Sequence, residues 1–371
     1  MTQGNLEIGQ RIKIERERKK LSQYTLAKAI GWNHHQIVSE VEQGKREVKA
    51  RELYEIAKFL FVDIDVLLGK KTAREQPFVL WREKPTENEE LLKDQFLQEC
   101  DNYVWIEELI SQSEKAPILI SKELPTFRVQ LERFTLEQAY ELAESMRGQM
   151  GLGDFPAAQL IDILEDGFGV KFIVDQKNIK PSGACFRSEK GCFIFINGRN
   201  TEPRQLFSIA HELFHLITWD AQMLKSVDTS QPMHEKNELL ANAFAAGLLI
   251  PQEKLHIETK KIAAGRRLSA ADIIALAQKF QVSKEAMLNR MHNTYLLTKK
   301  EHEQLQIQFG TLFVAPALSV FHPLKAKFVR LVYLAMEHLK ISRAKAAKLL
   351  HVELCDLSPL LNEYGFVEIT C

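Results

Sequence analysis

Two histidines four residues apart, with a glutamate directly after the first, stand in the run Ile209-Ala210-His211-Glu212-Leu213-Phe214-His215-Leu216-Ile217. On a helix, positions i and i+4 share one face. His211 and His215 therefore point the same way and can share one metal ion, and Glu212 can reach that ion's open side. Two neutral imidazoles and a carboxylate base are the set that hydrolysis at a zinc ion needs. The neighbours Ile209, Ala210, Leu213, Phe214, Leu216 and Ile217 predict a buried helix and a dry setting. The pattern also fits a buried helix whose histidines only hydrogen-bond to backbone. A third ligand shifts the balance, because a catalytic zinc site takes three protein ligands and keeps a fourth position open. Glu238 opens an apolar helical run, 237–251, and lies 23 residues after His215 (238 − 215).

Other elements must hold these two helices. The pattern predicts an amphipathic helix over 156–166 and strands over 170–174, 183–188 and 192–197, with Glu189-Lys190-Gly191 as a hairpin turn. A strand beside such a cleft can pair with extended substrate backbone, or the strands only form a supporting sheet. Asp220 and His234 lie near in sequence; each either orients a ligand or is solvated, and neither receives a catalytic role. Beyond Pro251 helices are expected at 270–280, 283–292, 299–308, 323–339 and 343–350, then 357–361. Residues 341–350 read like a second helix-turn-helix unit, taken as a dimerisation or packing module; this makes a homodimer a candidate assembly, with DNA contact the alternative.

At the other end, residues 6–69 read as a helical bundle. Leu6, Ile8 and Ile12 suit the inner face of a first helix, with Arg11, Arg16, Arg18, Lys19 and Lys20 outside. Ser22 is placed to cap a helix over 23–30 that stops at Gly31. Asn33 is placed to cap a helix over 34–42, and a longer helix follows over 50–60. Two short helices joined by a tight turn describe a helix-turn-helix. Base contacts are expected from Asn33, His34, His35, Gln36 and Ser39, and phosphate contacts from Gln23, Lys45 and Arg46. Residues 1–70 carry 13 Lys+Arg and 10 Asp+Glu, net +3 (13 − 10). That balance is modest for a DNA-binder, and the bundle also suits protein contact.

The motifs carry two resemblances. His211-Glu-Leu-Phe-His215, then Glu238-x-x-Ala241-Asn242-x-Phe244-Ala245 and Leu249-Ile250-Pro251, resemble the ImmA/IrrE-type metallopeptidases. So do 183–187, the strand over 192–197, and Arg204-x-x-Phe207-Ser208. This resemblance implies a zincin-like domain with His211, His215 and Glu238 as Zn2+ ligands and Glu212 as the catalytic base. It also implies a protein substrate of the repressor or antitoxin-like kind. Leu21-Ser22-Gln23-x-x-Leu26-Ala27-x-x-Ile30-Gly31, Val41-Glu42-x-Gly44-Lys45-Arg46 and Leu53-x-x-Ile56-Ala57 resemble the XRE, or lambda-repressor-like, domain, with 31–44 about one residue longer than usual. This second resemblance implies an operator in double-stranded DNA as partner.

The fold class expected is α+β and mostly helical. An all-α helix-turn-helix domain spans 1–70, a linker or helical tether 71–134, a zinc peptidase domain with a small sheet 135–297, and a helical module 298–371. Phe78 to Arg82 and Ile118 to Ile120 read as short strands or apolar anchors. Lys+Arg and Asp+Glu are both 49, so nucleic-acid affinity must come from a local patch. There is neither a membrane-length apolar run nor a signal-peptide core. Five scattered cysteines, Cys100, Cys185, Cys192, Cys355 and Cys371, suit free thiols in a reducing cytoplasm, with a Cys185–Cys192 bridge the lesser option. The reading is a cytoplasmic regulator with a site-specific zinc endopeptidase. The alternative is a DNA-binding transcription factor or antitoxin whose peptidase-like domain only senses a ligand or binds a partner.

Overall fold

Capping side chains and left-handed turns cut the first seventy residues into short helices. The computed structural model describes residues 3–71, 78–83, 89–111, 122–175, 181–220, 224, 227, 229–311 and 326–366. Two units emerge: Met1–Val79 with Lys84–Asn102, and Leu80–Glu83 with Tyr103–Cys371.

The first unit holds α1 (Gln3–Arg18), α2 (Gln23–Ala29), α3 (Gln36–Glu42), α4 (Ala50–Phe59) and α5 (Ile64–Leu67). Ser22 Oγ accepts the Thr25 N–H at 3.0 Å and starts α2, and Gly31, at φ +76°, turns the chain after it. Ile12, Leu26, Val38, Val41, Ile56, Leu60 and Leu67 fill the core. Three expectations are corrected. Asn33 does not cap α3, which begins at Gln36 after an αR His35 with no side-chain cap. Leu6 is exposed. Arg16 and Lys19 are buried rather than outward. Residues 12, 16 and 19 follow the i, i+4, i+7 stripe of one helix face, so the stripe that buries Ile12 carries both cations inward. Arg16 forks onto Glu42 at 2.6 and 3.0 Å and onto the Leu21 carbonyl at 2.7 Å; Lys19 pairs with Asp94.

The second unit is built on a four-stranded sheet, β1 (Leu80–Trp81), β2 (Lys171–Asp175), β3 (Gly183–Ser188) and β4 (Gly191–Asn197), in the order β1-β3-β4-β2. β3 pairs antiparallel with β1 and β4, and β2 runs parallel to β4. The 78–82 run is thus a strand at its centre, while 118–120 lie outside the described residues. Gly191 belongs to β4, opposite Ser188, so the turn is Glu189-Lys190 alone. Cys185 faces Ile194 and Cys192 faces Arg187, so the two cysteines are not cross-strand partners; Cys100, Cys185, Cys192 and Cys355 are free thiols.

The helices of this middle part are α6 (Glu89–Ser111), α7 (Leu136–Met150), α8 (Glu202–Ile217) and α9 (Gln231–Leu249). α8 lies on β3 and β4, and α9 packs on α7 and α8. Gly247 permits the α7–α9 approach, since a Cβ there would meet Tyr140 Cδ1 at 2.9 Å and Ala143 Cβ at 3.0 Å. The helix expected over 156–166 is segmented: a 3-10 turn Pro156–Ala158, one α-turn Leu160–Asp162 and a wider π-type stretch Ile163–Gly167. Gln159, at φ −122° and without a capping side chain, divides it. Then follow α10 (Gln252–Ala263), α11 (Ala270–Lys279), α12 (Lys284–Asn293), α13 (Lys299–Thr311), α14 (Ala326–Glu337), α15 (Arg343–Leu349) and α16 (Leu357–Glu363). The fold is α+β and mostly helical. Among the described residues no helix is long and apolar enough to cross a membrane.

Candidate metal centre

Burial of the apolar stripe on α8 carries the polar residues inside with it. His211, Glu212 and His215 are all 0% exposed. The two Nε2 atoms lie 3.1 Å apart. From α9, Glu238 brings Oε2 to 3.0 Å from His211 Nε2 and Oε1 to 3.3 Å from His215 Nε2. The ligand atoms of the three residues all lie within 4.8 Å of one another, and among the described residues this is the group of His, Cys, Asp or Glu that could hold a metal ion.

The outer ring nitrogens show what the inner ones can do. Asn242 Oδ1, an acceptor only, lies 3.0 Å from His211 Nδ1. Nδ1 must then carry the proton, which leaves a bare lone pair on Nε2. His215 Nδ1 lies 3.3 Å from the Asn237 side-chain amide, whose Oδ1 is buried and without a partner. With that amide turned over, Oδ1 faces the ring and accepts from Nδ1–H. With both outer nitrogens protonated, two lone pairs and a carboxylate converge with no donor between them. Such a set fits a divalent cation with borderline nitrogen and oxygen preference.

Electrostatics agree with that fit. Burial holds the His211 imidazole down at about 4, so it stays neutral as a ligand must. Burial pushes the Glu238 carboxyl up, but its contacts with the His211 and His215 rings outweigh it and hold Glu238 well below the usual carboxylate range. Glu212 behaves oppositely. Burial, then the Glu238 charge, push its carboxyl up, against the pull of Arg82 and the Cys185 thiol. Neither Glu212 oxygen has a hydrogen-bond partner among the described residues. β3 touches this carboxylate through Gly183, where a Cβ would stand 2.7 Å from Oε1. Glycine is the side chain that lets strand and base meet.

In the first unit, Asn33, His34, His35 and Gln36 are exposed together at the start of α3. Ser39 is half-buried and accepts a hydrogen bond from Gln43 at 2.9 Å. Gln23 is turned inward, donating to Glu42 Oε2 at 2.7 Å. Arg46 pairs with Glu52 at 2.7 Å and stacks over Trp32 at 4.8 Å, whereas Lys45 is exposed.

Residues 165–292 match the family described as IrrE N-terminal-like domain, and residues 12–67 match the family described as helix-turn-helix. The chain joins these two domains. No curated protein matches it. One similar solved structure is described as a Mycobacterium tuberculosis transcriptional regulator. The two share 20% identity at a TM-score of 0.33, over 45% of this chain and 49% of that one. The match thus spans about half the length of that protein.

The candidate metal centre of the IrrE-like domain contains residues that sequence reasoning gave no role. The sequence offered Asp220 and His234 as residues that either orient a ligand or are solvated; the outer nitrogens of His215 and His211 face Asn237 and Asn242. Their spacing was a usable signal, because they lie one residue before and four residues after Glu238. Arg82, outside both matched segments, was missed entirely. Its guanidinium donates to Ser208 Oγ at 2.9 Å and reaches Asn242 Oδ1 at 3.5 Å.

Proposed function

We propose that this chain is a cytoplasmic, DNA-binding regulator whose IrrE-like domain is a zinc-dependent, site-specific endopeptidase acting on a repressor or antitoxin-like protein. The observation that carries the reading is the convergence of His211, His215 and Glu238 beside the partnerless carboxylate of Glu212. Residues 1–70 are assigned to operator binding and 135–297, with the edge strand at 80–82, to hydrolysis; the rest of 71–134 is the tether, and 298–371 is a packing or dimerisation module.

Zinc held by His211 Nε2, His215 Nε2 and Glu238 would supply Lewis acidity to a peptide carbonyl and to a water. The chain's own residues do the rest. Asn242 and Asn237 orient the imidazoles. The apolar wall of α8 excludes bulk water. Glu212 takes a proton from the attacking water at one Oε and returns it to the leaving amine.

Metal analysis of the purified full chain, paired with cleavage assays on the products of neighbouring genes, tests the proposal. Wild type is expected to carry about one zinc per chain and to cut one such protein. Glu212→Gln should keep the zinc and cut about 10²–10⁴-fold more slowly. Undiminished cutting by that variant would remove Glu212 from the mechanism.

A second reading rests on the complete burial of Glu212 and both histidines. So closed a centre also suits a metal- or ligand-sensing domain in a transcription factor or antitoxin. In a reporter assay that reading expects Glu212→Gln to behave as wild type while His211→Ala does not.

A further inference from the structure

The apolar run before Arg82 forms an edge strand, and the register of that strand decides where Arg82 goes. Leu80 stands opposite Cys185 and Trp81 opposite Ala184. The Arg82 N–H extends the ladder to the Gly183 carbonyl at 3.2 Å. Side chains alternate along a strand, so Leu80 and Arg82 share one face. That face is shared with their opposite numbers Cys185 and Gly183, and Gly183 is the residue pressed against Glu212. Trp81 turns the other way and meets the Phe195 ring edge-on at 6.2 Å. Arg82 is thereby delivered to α8 at the level of the metal centre.

Its two contacts there are specific. Ser208, fully buried, lies one turn before Glu212 on α8 (212 − 208 = 4). Its Oγ takes one arm of the guanidinium at 2.9 Å. The other arm reaches Oδ1 of Asn242, one turn after Glu238 on α9 (242 − 238 = 4). The same Oδ1 lies 3.0 Å from His211 Nδ1. An amide oxygen has two lone pairs, and here one faces Arg82 and the other His211. The Phe207 ring lies 5.7 Å from the guanidinium and limits its freedom. A charged donor on Oδ1 dictates which end of the Asn242 amide faces His211, and that end dictates the imidazole tautomer.

We propose that Arg82 is a positioning residue for the metal centre: by holding Asn242 Oδ1 toward His211 Nδ1–H it fixes His211 in the tautomer that presents a bare Nε2 to the ion. This inference rests on the metal-binding part of the function proposed above. Arg82 lies 83 residues before the start of the matched IrrE-like segment (165 − 82). The centre is therefore completed by a strand that lies outside the matched segment. A guanidinium suits the place because its planar fork serves two acceptors on two helices at once, which a lysine ammonium on a flexible stem does not reproduce.

The test is zinc affinity of the full-length chain, measured by competition with a chromogenic chelator. Far-UV circular dichroism of the metal-free forms checks the fold. Partners that orient a ligand are worth about 10–100-fold in metal affinity. Arg82→Ala and Asn242→Ala should each show a loss of that order, and Arg82→Lys should recover only part of it. Because Arg82 acts through Asn242, the double variant should bind zinc within about two-fold of Asn242→Ala alone. A merely structural role for Arg82 would instead multiply the two losses, and that result overturns the proposal. So does Arg82→Ala with zinc affinity within about two-fold of wild type. Should Arg82→Ala fail to fold, Ser208→Ala removes one arm's partner and should weaken zinc binding in the same direction; unchanged affinity in that variant overturns the proposal. A wild-type chain that binds no zinc overturns the metal reading and this inference together. Zinc bound by wild type and by Arg82→Ala equally overturns this inference alone.

Discussion

Glu238 is the one anionic member of the three-residue group, and both imidazoles lean on it, at 3.0 and 3.3 Å. Removing it leaves two neutral lone pairs, which hold a divalent cation far more weakly than two nitrogens with a carboxylate. Glu238→Ala should therefore lose zinc affinity by at least the 10–100-fold typical of mere orienting partners, with the helical circular dichroism signal kept. Stoichiometric zinc at wild-type affinity in that variant would mean that another carboxylate is the third ligand. The centre's core was legible because the i, i+4 spacing of His211 and His215 fixes their shared face whatever surrounds them. The residues that orient them were less so. Asn237 and Asn242 take their roles from the way α9 packs on α8. Arg82 takes its role from the pairing of the 78–82 strand with β3, a partner that its local sequence does not name. Gly183 was readable as part of a motif, but its reason, contact with a carboxylate 29 residues away (212 − 183), was not.

Among elements, the segmented helical run before β2 behaves least like its sequence pattern. An amphipathic period over 156–166 was real, yet the backbone passes through three helix types and places Glu165 in the π-type part, buried, with Oε1 unpartnered. Lys327 of α14 donates to the Glu165 backbone carbonyl at 3.2 Å rather than to its carboxylate. Burial consequently dominates and pushes the Glu165 carboxyl up from 4.5 to about 8. A carboxyl that keeps its proton in the folded state, and releases it at lower pH when unfolded, contributes stability that is full below the unfolded value. That contribution is lost as pH rises toward and through the folded value. Wild type should lose stability between pH 4.5 and about 8 from this group, at on the order of 1 kcal/mol per pH unit as a ceiling. Glu165→Gln keeps the shape without the titration. Denaturant midpoints at about pH 5 and about pH 9 should converge in the variant relative to wild type; identical pH slopes in the two proteins would show that Glu165 is ionised in the fold. Local rules alone could not foresee this element, since which residues of an apolar stripe are fully enclosed is decided by partners far along the chain, such as Lys327 of α14. The same limit explains Arg16, in helix α1, and Lys19, in the turn just after it, both expected on the outside and both buried. The helix period fixes a stripe, and the partners Glu42 and Asp94 that make burial of cations tolerable come from far along the chain.

At the scale of the whole molecule, a neutral chain leaves DNA affinity to the first seventy residues and their net +3, and the structure narrows that further. Arg16 and Lys19 are buried in ion pairs. Arg46 is tied to Glu52 and stacked on Trp32. Lys45 is exposed and, among the described residues, makes no ion pair. Gln36 opens α3, exposed, and begins the i, i+3, i+7 row it forms with Ser39 and Gln43. These placements separate three roles that composition alone would pool. Gln36→Ala should cost ~1–3 kcal/mol at one operator position and little elsewhere, because a glutamine reads adenine through two hydrogen bonds. Lys45→Ala should weaken binding to every sequence and reduce the salt slope by about one counterion. Arg46→Ala should do neither chiefly; it should lower the thermal midpoint of the helix-turn-helix domain by removing a buried-side ion pair and a ring contact. Fluorescence anisotropy on the promoter of the chain's own gene, run across a salt series with a scrambled duplex as control, reads the first two, and a melting curve reads the third. Equal losses from Gln36→Ala on the specific and scrambled duplexes would remove α3 from base recognition. A salt slope unchanged by Lys45→Ala but reduced by Arg46→Ala would mean that the Glu52 pair opens on DNA and that Arg46, not Lys45, meets the phosphates.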